Sequence, residues 1–259
     1  MNNINKTLYI PLYGKAYVSK LGIILDDKKA EELWNRADIK LKGKSKSKWL
    51  AYFMAMRSKV FDNWVKDKVK EYPESIILHL GCGLDSRILR TSLNNQWYDV
   101  DFKDVIDERK KYYNETDTYH MLAGDLKDDT WLKDIPTNRH VIVVMEGVSM
   151  YLSSHDLKRL FDNLNNQFES ISFMMDCYSE KAAQLSKRKN PINDVGVFDV
   201  YGVDNPKLYE TQTFVYTKEH DMTPISMIDE LKGLERKIFK SLYAGNFSKS
   251  LYKIYEYKK

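Results

Sequence analysis

Cysteine is almost missing from this chain: Cys82 and Cys177 are its two, far apart and outside any CxxC pair. Such usage excludes a disulfide framework and a thiolate metal site, and the two read as reduced thiols of a cytoplasmic protein. Histidine is scarce as well. His79, His120, His140, His155 and His220 show neither HxH nor HExxH spacing, so no zinc site is expected. No apolar run reaches the roughly eighteen residues that span a bilayer. Met1–Lys6 also lacks the apolar core of a signal peptide, so no membrane partner is expected. An excess of one charge is missing too: 41 basic residues against 37 acidic ones leave +4, too even a balance to imply nucleic acid. There is no internal repeat. What remains, at 259 residues and 43% hydrophobic, is enough chain for one large α/β domain with a substantial core.

The stretch that organises the chain is Ile76-Ile77-Leu78-His79-Leu80-Gly81-Cys82-Gly83-Leu84-Asp85-Ser86-Arg87-Ile88-Leu89-Arg90. Its apolar start reads as a buried strand, its glycines as a turn, and Ile88 and Leu89 as the opening of a helix. Glycine admits positive φ and lets backbone N–H groups approach a ligand, while the helix start adds partial positive charge. A second apolar stretch, Trp97-Tyr98-Asp99-Val100, ends at Asp101, an acid placed to accept from both hydroxyls of a ribose. The turn argues against a dinucleotide. The third fingerprint glycine is replaced by Ser86, and Asp85 just before it would repel a pyrophosphate. A phosphate-free adenosine cofactor such as S-adenosylmethionine suits the turn. The alternative is a glycine turn that serves only packing.

Around this stretch the pattern is regular. Asp26-Asp27 can cap a helix through Ala30, Leu33, Trp34 and Ala37. The Lys40–Lys48 tract reads as a solvated loop, and a long helix spans about 47–70 with Trp49, Phe53, Met56, Val60 and Trp64 as its buried face. Arg57 lies one step from that stripe. After these two strands, residues 118–123, 141–145 and 171–176 read as further strands alternating with helices, the helix before 171–176 carrying Leu157, Leu160, Phe161 and Leu164. This is a doubly wound parallel sheet, with Asp101, Asp125, Glu146 and Asp176 at carboxyl ends of strands, where such folds bind ligands. Residues 1–72 form an N-terminal helical cap on a single domain, 1–259. Residues 177–216 break the rhythm and read as a lid insertion with exposed-looking Phe198, Tyr201 and Tyr209. A helix opens at Pro224 with Ile225, Ile228 and Leu231. The alternating stretches Arg236–Tyr243 and Ser250–Tyr257, around Ala244-Gly245-Asn246, read as an antiparallel hairpin.

Five stretches together resemble the leucine carboxyl methyltransferase family, and within it the bacterial branch of polyketide-type O-methyltransferases. They are Arg57-Ser58-Lys59-Val60-Phe61-Asp62, Leu80-Gly81-Cys82-Gly83-Leu84-Asp85-Ser86-Arg87, Trp97-Tyr98-Asp99-Val100-Asp101, Gly124-Asp125-Leu126 and Glu146-Gly147-Val148-Ser149-Met150-Tyr151-Leu152. The resemblance implies a Rossmann-like class I methyltransferase, α/β, with a mostly parallel seven-stranded sheet. It implies S-adenosyl-L-methionine as cofactor, with Gly81 and Gly83 in the turn that lines it. Arg57 would take the carboxylate of the methionine moiety, and Asp101 the ribose. Asp125 and Leu126 would take the adenine, and Glu146 would stand near the methionine amino group. Asp85 and Arg87 would lock the turn rather than touch the cofactor. Cys82 stands where the family often has Ala, and Ser86 where Thr is common.

The expected reaction moves a methyl group from a sulfonium to an oxygen of a small-molecule acceptor, a protein acceptor standing second. Alignment in a dry site supplies most of the catalysis. A carboxylate acceptor needs no base; for a hydroxyl the candidates are His120, Asp176 and Tyr151, and no catalytic residue is assigned. The competing readings are a nicotinamide-dependent oxidoreductase, disfavoured by Asp85 and Ser86, and a binding module without turnover.

Overall fold

The computed structural model describes residues 7–37, 41, 43–189 and 199–259; Phe198, Lys40 and Lys42 lie outside them. Three helices come first: α1 (Tyr9–Leu21), α2 (Lys28–Arg36) and α3 (Lys48–Glu71). Asp27 caps α2 as its position suggests, its Oδ1 accepting from the Ala30 N–H at 2.8 Å. In α3 Met56, Val60 and Trp64 of the expected stripe are buried while Trp49 and Phe53 are half-buried, and the buried set adds Ala51, Tyr52, Ala55, Arg57, Ser58, Phe61, Asp62 and Val65. A helix buried on so much of its circumference is wedged between α1 and the sheet.

Strands β1 (Ile76–Leu80), β2 (Trp97–Asp101), β3 (Tyr119–Ala123), β4 (Val141–Met145) and β5 (Ile171–Tyr178) run parallel, and β7 (Tyr252–Lys258) is antiparallel between β5 and β6 (Val215–His220). The order is β3-β2-β1-β4-β5-β7-β6. Connections reverse direction between β1 and β4, so a crevice opens beyond the carboxyl ends of these two strands. Alternation along the strands divides the core in two. Ile77, Ile142, Val144 and Met174 face the N-terminal helices, while Ile76, Leu78, Val141, Val143 and Phe173 face helix α6 (Ser154–Gln167). The helices α4 (Arg87–Thr91) and α5 (Lys103–Arg109) follow β1 and β2.

Three expectations change in the last third. The region read as the first arm of a terminal hairpin is helical: α9 (Gly233–Leu242) and α10 (Asn246–Leu251) follow the short α8 (Ile225–Ile228), and β7 pairs instead with β6. The apolar positions Leu234, Ile238, Phe239 and Leu242 recur at helical spacing, which overrides the short alternation within them. Both ends of the 177–216 region are strand, since β5 runs on to Tyr178 and β6 begins at Val215; α7 (Glu180–Lys189) lies between them. Tyr209 is not an exposed lid residue. It is buried below the sheet against Phe161, with 5.5 Å between ring centroids.

Asp27 does more than cap α2. Its Oδ2 accepts from Arg90 at 2.7 Å and its Oδ1 from the Ser86 hydroxyl at 2.6 Å, which ties the helical cap to the β1 turn. Asp27→Ala is expected to lower stability by about 3 kcal/mol or more, the sum of a lost cap and a buried guanidinium short of one counter-charge. Asp27→Asn, which can keep the cap, is expected to lose less. Urea unfolding measures both, and a loss below about 1 kcal/mol for the alanine variant would remove Asp27 from this tie.

Candidate active site

The crevice at the ends of β1 and β4 is a cavity of about 1440 Å³, larger than the roughly 300–1,000 Å³ of a site for one small molecule. Its floor is the β1 turn. Gly81 sits at φ +65°, and a Cβ there would lie 2.2 Å from Val148 Cγ2. Only glycine fits on both counts. Gly83, at φ +51°, donates its N–H to Asp101 Oδ2 at 2.8 Å, and its carbonyl accepts from Arg109 Nη1 at 3.0 Å. Asp101 Oδ1 accepts from the Phe102 N–H at 2.8 Å, and the carboxylate borders the cavity. Burial pushes its pKa up to about 6 against the pull of the Gly83 and Phe102 N–H groups and Arg109.

Asp125 and Leu126 border the same cavity after β3. Asp125 Oδ1 accepts from the Lys127 N–H at 2.9 Å, and no protein donor reaches Oδ2 among the described residues. Trp131 donates from Nε1 to the Asp125 carbonyl at 3.2 Å and so holds the turn.

Arg57 reaches the cavity from α3, buried to 4% exposure. Its Nε donates to Glu146 Oε1 at 2.9 Å, and its Nη1 to Asp176 Oδ2 at 2.9 Å and to the Tyr252 hydroxyl at 2.6 Å. Burial opposes its charge, but Tyr252, Asp176 and Glu146 hold it on and raise its pKa well above the usual value. Only Nη2 remains without a protein acceptor among the described residues, beside Gly147. The guanidinium expected to take the methionine carboxylate is therefore already largely committed.

Glu146 is also committed. Oε1 accepts from Arg57 and from the Ser58 hydroxyl at 2.8 Å, and Oε2 accepts from Arg87 Nη2. Burial works against its charge, yet Arg57 and Arg87 outweigh burial and hold the carboxyl down at about 2. It borders the cavity, but as the brace of two guanidinium groups rather than as a free acceptor for an amino group.

Asp85 and Arg87 lock the turn as expected. Arg87 Nε donates to Asp62 Oδ1 at 2.7 Å and Nη1 meets His79 Nε2 at 3.1 Å, while Asp85 Oδ1 accepts from Arg90 at 2.7 Å and Oδ2 pairs with Lys15 at 3.1 Å. Because Arg87 can only donate, His79 must accept at Nε2 and carry its proton on Nδ1, which donates to Asp99 Oδ1 at 3.0 Å. Burial lowers the His79 pKa and keeps the ring neutral.

Two contributors carry no signal in the sequence. Lys15 is a lysine at 3% exposure on the cavity wall, on the same α1 face as Leu12 and Ala16. Tyr252 donates to Asp176 and stacks on Phe53 with ring centroids 5.9 Å apart. Beyond Arg57 the cavity walls turn aromatic and apolar: Leu50, Phe53, Tyr151, Tyr178, Leu185 and Tyr243.

None of the three candidate bases is placed to act as one. His120 stacks on Tyr98 at 4.7 Å, its Nε2 meets Gln96 Oε1 at 3.2 Å, and it does not border the cavity. Asp176 is fully buried behind Arg57 and Tyr252, off the cavity wall, with burial raising its pKa against Arg57. Tyr151 borders the cavity, but burial pushes its phenol well above the ordinary value, so it stays protonated.

The family model described as leucine carboxyl methyltransferase matches residues 11–165. The tetracenomycin polyketide synthesis O-methyltransferase TcmP of Streptomyces glaucescens is 28% identical over 218 residues, 82% of this chain and 80% of that protein. The S-adenosyl-L-methionine-dependent methyltransferase dpfgK of Gibberella zeae is 28% identical over 184 residues; the match covers 65% of this chain and 62% of that one, under two thirds of its length. In fold the chain is similar to magnesium protoporphyrin IX methyltransferase from Synechocystis PCC 6803, solved with S-adenosylhomocysteine bound. The TM-score is 0.54 at 12% identity, covering 88% of this chain and 93% of that one. A DUF574-family protein of Streptomyces avermitilis gives a TM-score of 0.59 at 11% identity, covering 82% and 85%.

The position of Asp101 has a direct readout. Its carboxyl carbon is expected to titrate near pH 6 in an NMR titration of the folded protein, about two units above an ordinary aspartate. A folded pKa raised in this way means that the folded state binds the extra proton between about pH 4 and 6. Asp101 therefore favours folding more as pH falls through that window. Asp101→Asn should remove the resonance; an Asp101 midpoint near 4 would contradict the burial described.

Proposed function

The chain belongs to the leucine carboxyl methyltransferase family, whose members are methyltransferases dependent on S-adenosyl-L-methionine, and we propose that it methylates a carboxylate oxygen of a small, apolar, ring-bearing acceptor. One observation carries this reading: a single cavity joins an adenosine-type end, Gly81, Gly83 and Asp101, to an aromatic end that offers no free base among the described residues. The cofactor supplies an electrophilic methyl on a sulfonium, which leaves as a neutral thioether and needs no acid.

The chain's own residues fit that cofactor. Asp101 accepts from the ribose hydroxyls. Asp125, through its open Oδ2, accepts from the adenine amine, and Leu126 packs on the ring. Arg57 offers Nη2 to the methionine carboxylate, and Lys15 stands by the same end. Glu146 keeps Arg57 in place. On the acceptor side Phe53, Tyr151, Tyr178 and Tyr243 line a space that excludes water and holds flat or apolar molecules. With Asp176 sealed and Tyr151 protonated, an acceptor that arrives already ionised suits the site better than a hydroxyl that must be deprotonated. The O-methyltransferase TcmP points the same way as to the element methylated. A nicotinamide enzyme is disfavoured by the turn itself, which has Asp85 followed by Ser86 in place of the third fingerprint glycine.

S-adenosylhomocysteine at about a hundredfold its dissociation constant should stabilise the fold by about 2.7 kcal/mol, and NAD should not. Incubation of candidate acceptors with isotopically labelled methyl donor should then give a product whose label is released by mild base, as from a methyl ester. A base-stable ether would overturn the carboxylate assignment, stabilisation by NAD alone would overturn the cofactor, and failure to label acceptor while S-adenosylhomocysteine binds would leave a binding module.

Arg57 is tested with two ligands, S-adenosylhomocysteine with its carboxylate and methylthioadenosine without one. Arg57→Ala should weaken the first by about 2–3 kcal/mol and leave the second nearly unchanged. Arg57→Lys should rescue little, since an ammonium cannot serve Glu146, Asp176 and the ligand with one planar fork. Equal losses for both ligands would assign Arg57 to the fold alone.

A further inference from the structure

Beside the aromatic end of the cavity lies a second, smaller pocket of about 220 Å³ that the methyl-transfer reading leaves unused. The end of β6, the turn after it and α10 line it, through Glu219, His220, Asp221, Met222, Thr223 and Lys249. Glu219, Asp221 and Lys249 are exposed, while Met222 and Thr223 are buried. The volume is below the roughly 300–1,000 Å³ of a small-molecule site, though a cavity of about 150 Å³ holds a benzene ring. The pocket therefore suits the far end of a molecule seated in the main cavity rather than a ligand of its own.

Phe53, Tyr243, Ser248 and Tyr252 border both spaces and so form the partition between them. Three of the four are tied down. Tyr252 is held through its hydroxyl by Arg57 and Asp176. Tyr243 stacks on Trp49 and on Phe239, with ring centroids 5.7 and 5.5 Å apart, and Ser248 Oγ donates to the Leu242 carbonyl at 2.7 Å. Phe53 has no such tie. It is half-buried on α3, one turn ahead of Arg57, and its ring lies against Tyr252 at 27° from parallel. Around the pocket the charges are already paired: Lys249 with Asp221 at 2.8 Å, Glu219 with Lys253 at 2.7 Å and His220 with Glu256 at 2.6 Å. The Thr223 hydroxyl, by contrast, is buried with no partner among the described residues. An unsatisfied buried hydroxyl gains from any ligand group that can bond to it.

We propose that Phe53 is a specificity-determining residue of the acceptor site: its ring closes the aromatic end against the side pocket and so sets the length of acceptor that fits. A compact acceptor stops at Phe53. One longer by a ring needs the space behind it, where a hydroxyl on its far end would meet Thr223. Of the four partition residues Phe53 is the one whose removal opens the wall while Tyr252 keeps its hold on Arg57 and Tyr243 its place between α3 and α9. This inference deepens the acceptor reading above and rests on it.

The test is calorimetric titration of the whole chain, with S-adenosylhomocysteine bound, against aryl carboxylates of rising length: benzoate, biphenyl carboxylate and terphenyl carboxylate, the last with and without a terminal hydroxyl. The parent should reach a length beyond which affinity falls by about tenfold or more. Phe53→Ala should move that limit outward by one ring, a gain of binding that a damaged fold cannot produce. Phe53→Leu, which keeps more apolar volume against Tyr252, should move it part of the way, and thermal stabilisation by S-adenosylhomocysteine reports that the fold and the cofactor end survive in both. In the Phe53→Ala background the terminal hydroxyl should tighten binding by about threefold or more, and Thr223→Val should cancel that advantage. A limit that stays in place in both Phe53 variants, a parent with no limit across the series, or a hydroxyl without effect overturns the proposal and leaves the acceptor reading standing. A parent that binds S-adenosylhomocysteine and none of the carboxylates overturns the acceptor reading, and this proposal with it.

Discussion

Buried charge that no single element can neutralise governs how this molecule is put together. The side chains of Arg57, Arg87 and Arg90 are almost without exposure, and each is held by carboxylates from other parts of the chain. Arg87 bridges Asp62 of α3 to Glu146 after β4, and Arg90 bridges Asp62 to Asp27 ahead of α2. Arg57 bridges Glu146 to Asp176 of β5. Well-packed apolar residues would stabilise such a junction as well or better, because the desolvation of paired ions offsets most of their attraction. What the ions add is a defined arrangement: a shifted helix would strand a charge in the core.

The same network explains why the two ends of the cavity differ. Carboxylates, guanidinium groups and the Lys15 ammonium are spent on one another around the β1 turn, so among the described residues at that end the groups left to a ligand are Asp101, the open oxygen of Asp125 and one nitrogen of Arg57. Further out the walls are Phe53, Tyr151, Tyr178 and Tyr243, with no carboxylate among them. A polar molecule of fixed shape suits the first end and a flat apolar one the second. Arg57 and Tyr252 stand where the two meet.

Much of this was legible in the residues. The Ile76–Leu80 run, the Gly81 and Gly83 turn and the acid Asp101 needed only local pattern, and the α3 stripe placed Arg57 near the domain body. Other features depend on neighbours that are distant in sequence. That Glu146 is saturated follows from Arg57, Ser58 and Arg87 converging on it, and a motif cannot show such convergence. Lys15 looks like any helix lysine until α1 is laid against the β1 turn. Strand β6 was hidden because it is a short edge strand whose residues are exposed or half-buried, with no apolar alternation to read. The Arg236–Tyr243 stretch reads as a strand from the sequence because so short a run fits either period.

The partners of Arg57 have a consequence for how the cavity comes into being. The guanidinium meets a tyrosine hydroxyl 195 positions away along the chain. That tyrosine reaches it only after β7 has slipped between β5 and β6, past the excursion of three helices that separates β6 from β7. Contacts of such separation form late in folding, because the loop entropy they close must be lost before any contact repays it. The parallel strands and the β1 turn can assemble while Asp176 and Arg57 still lack their third partner. The junction between the two ends of the cavity is thus completed last, by the strand whose arrival also completes the sheet.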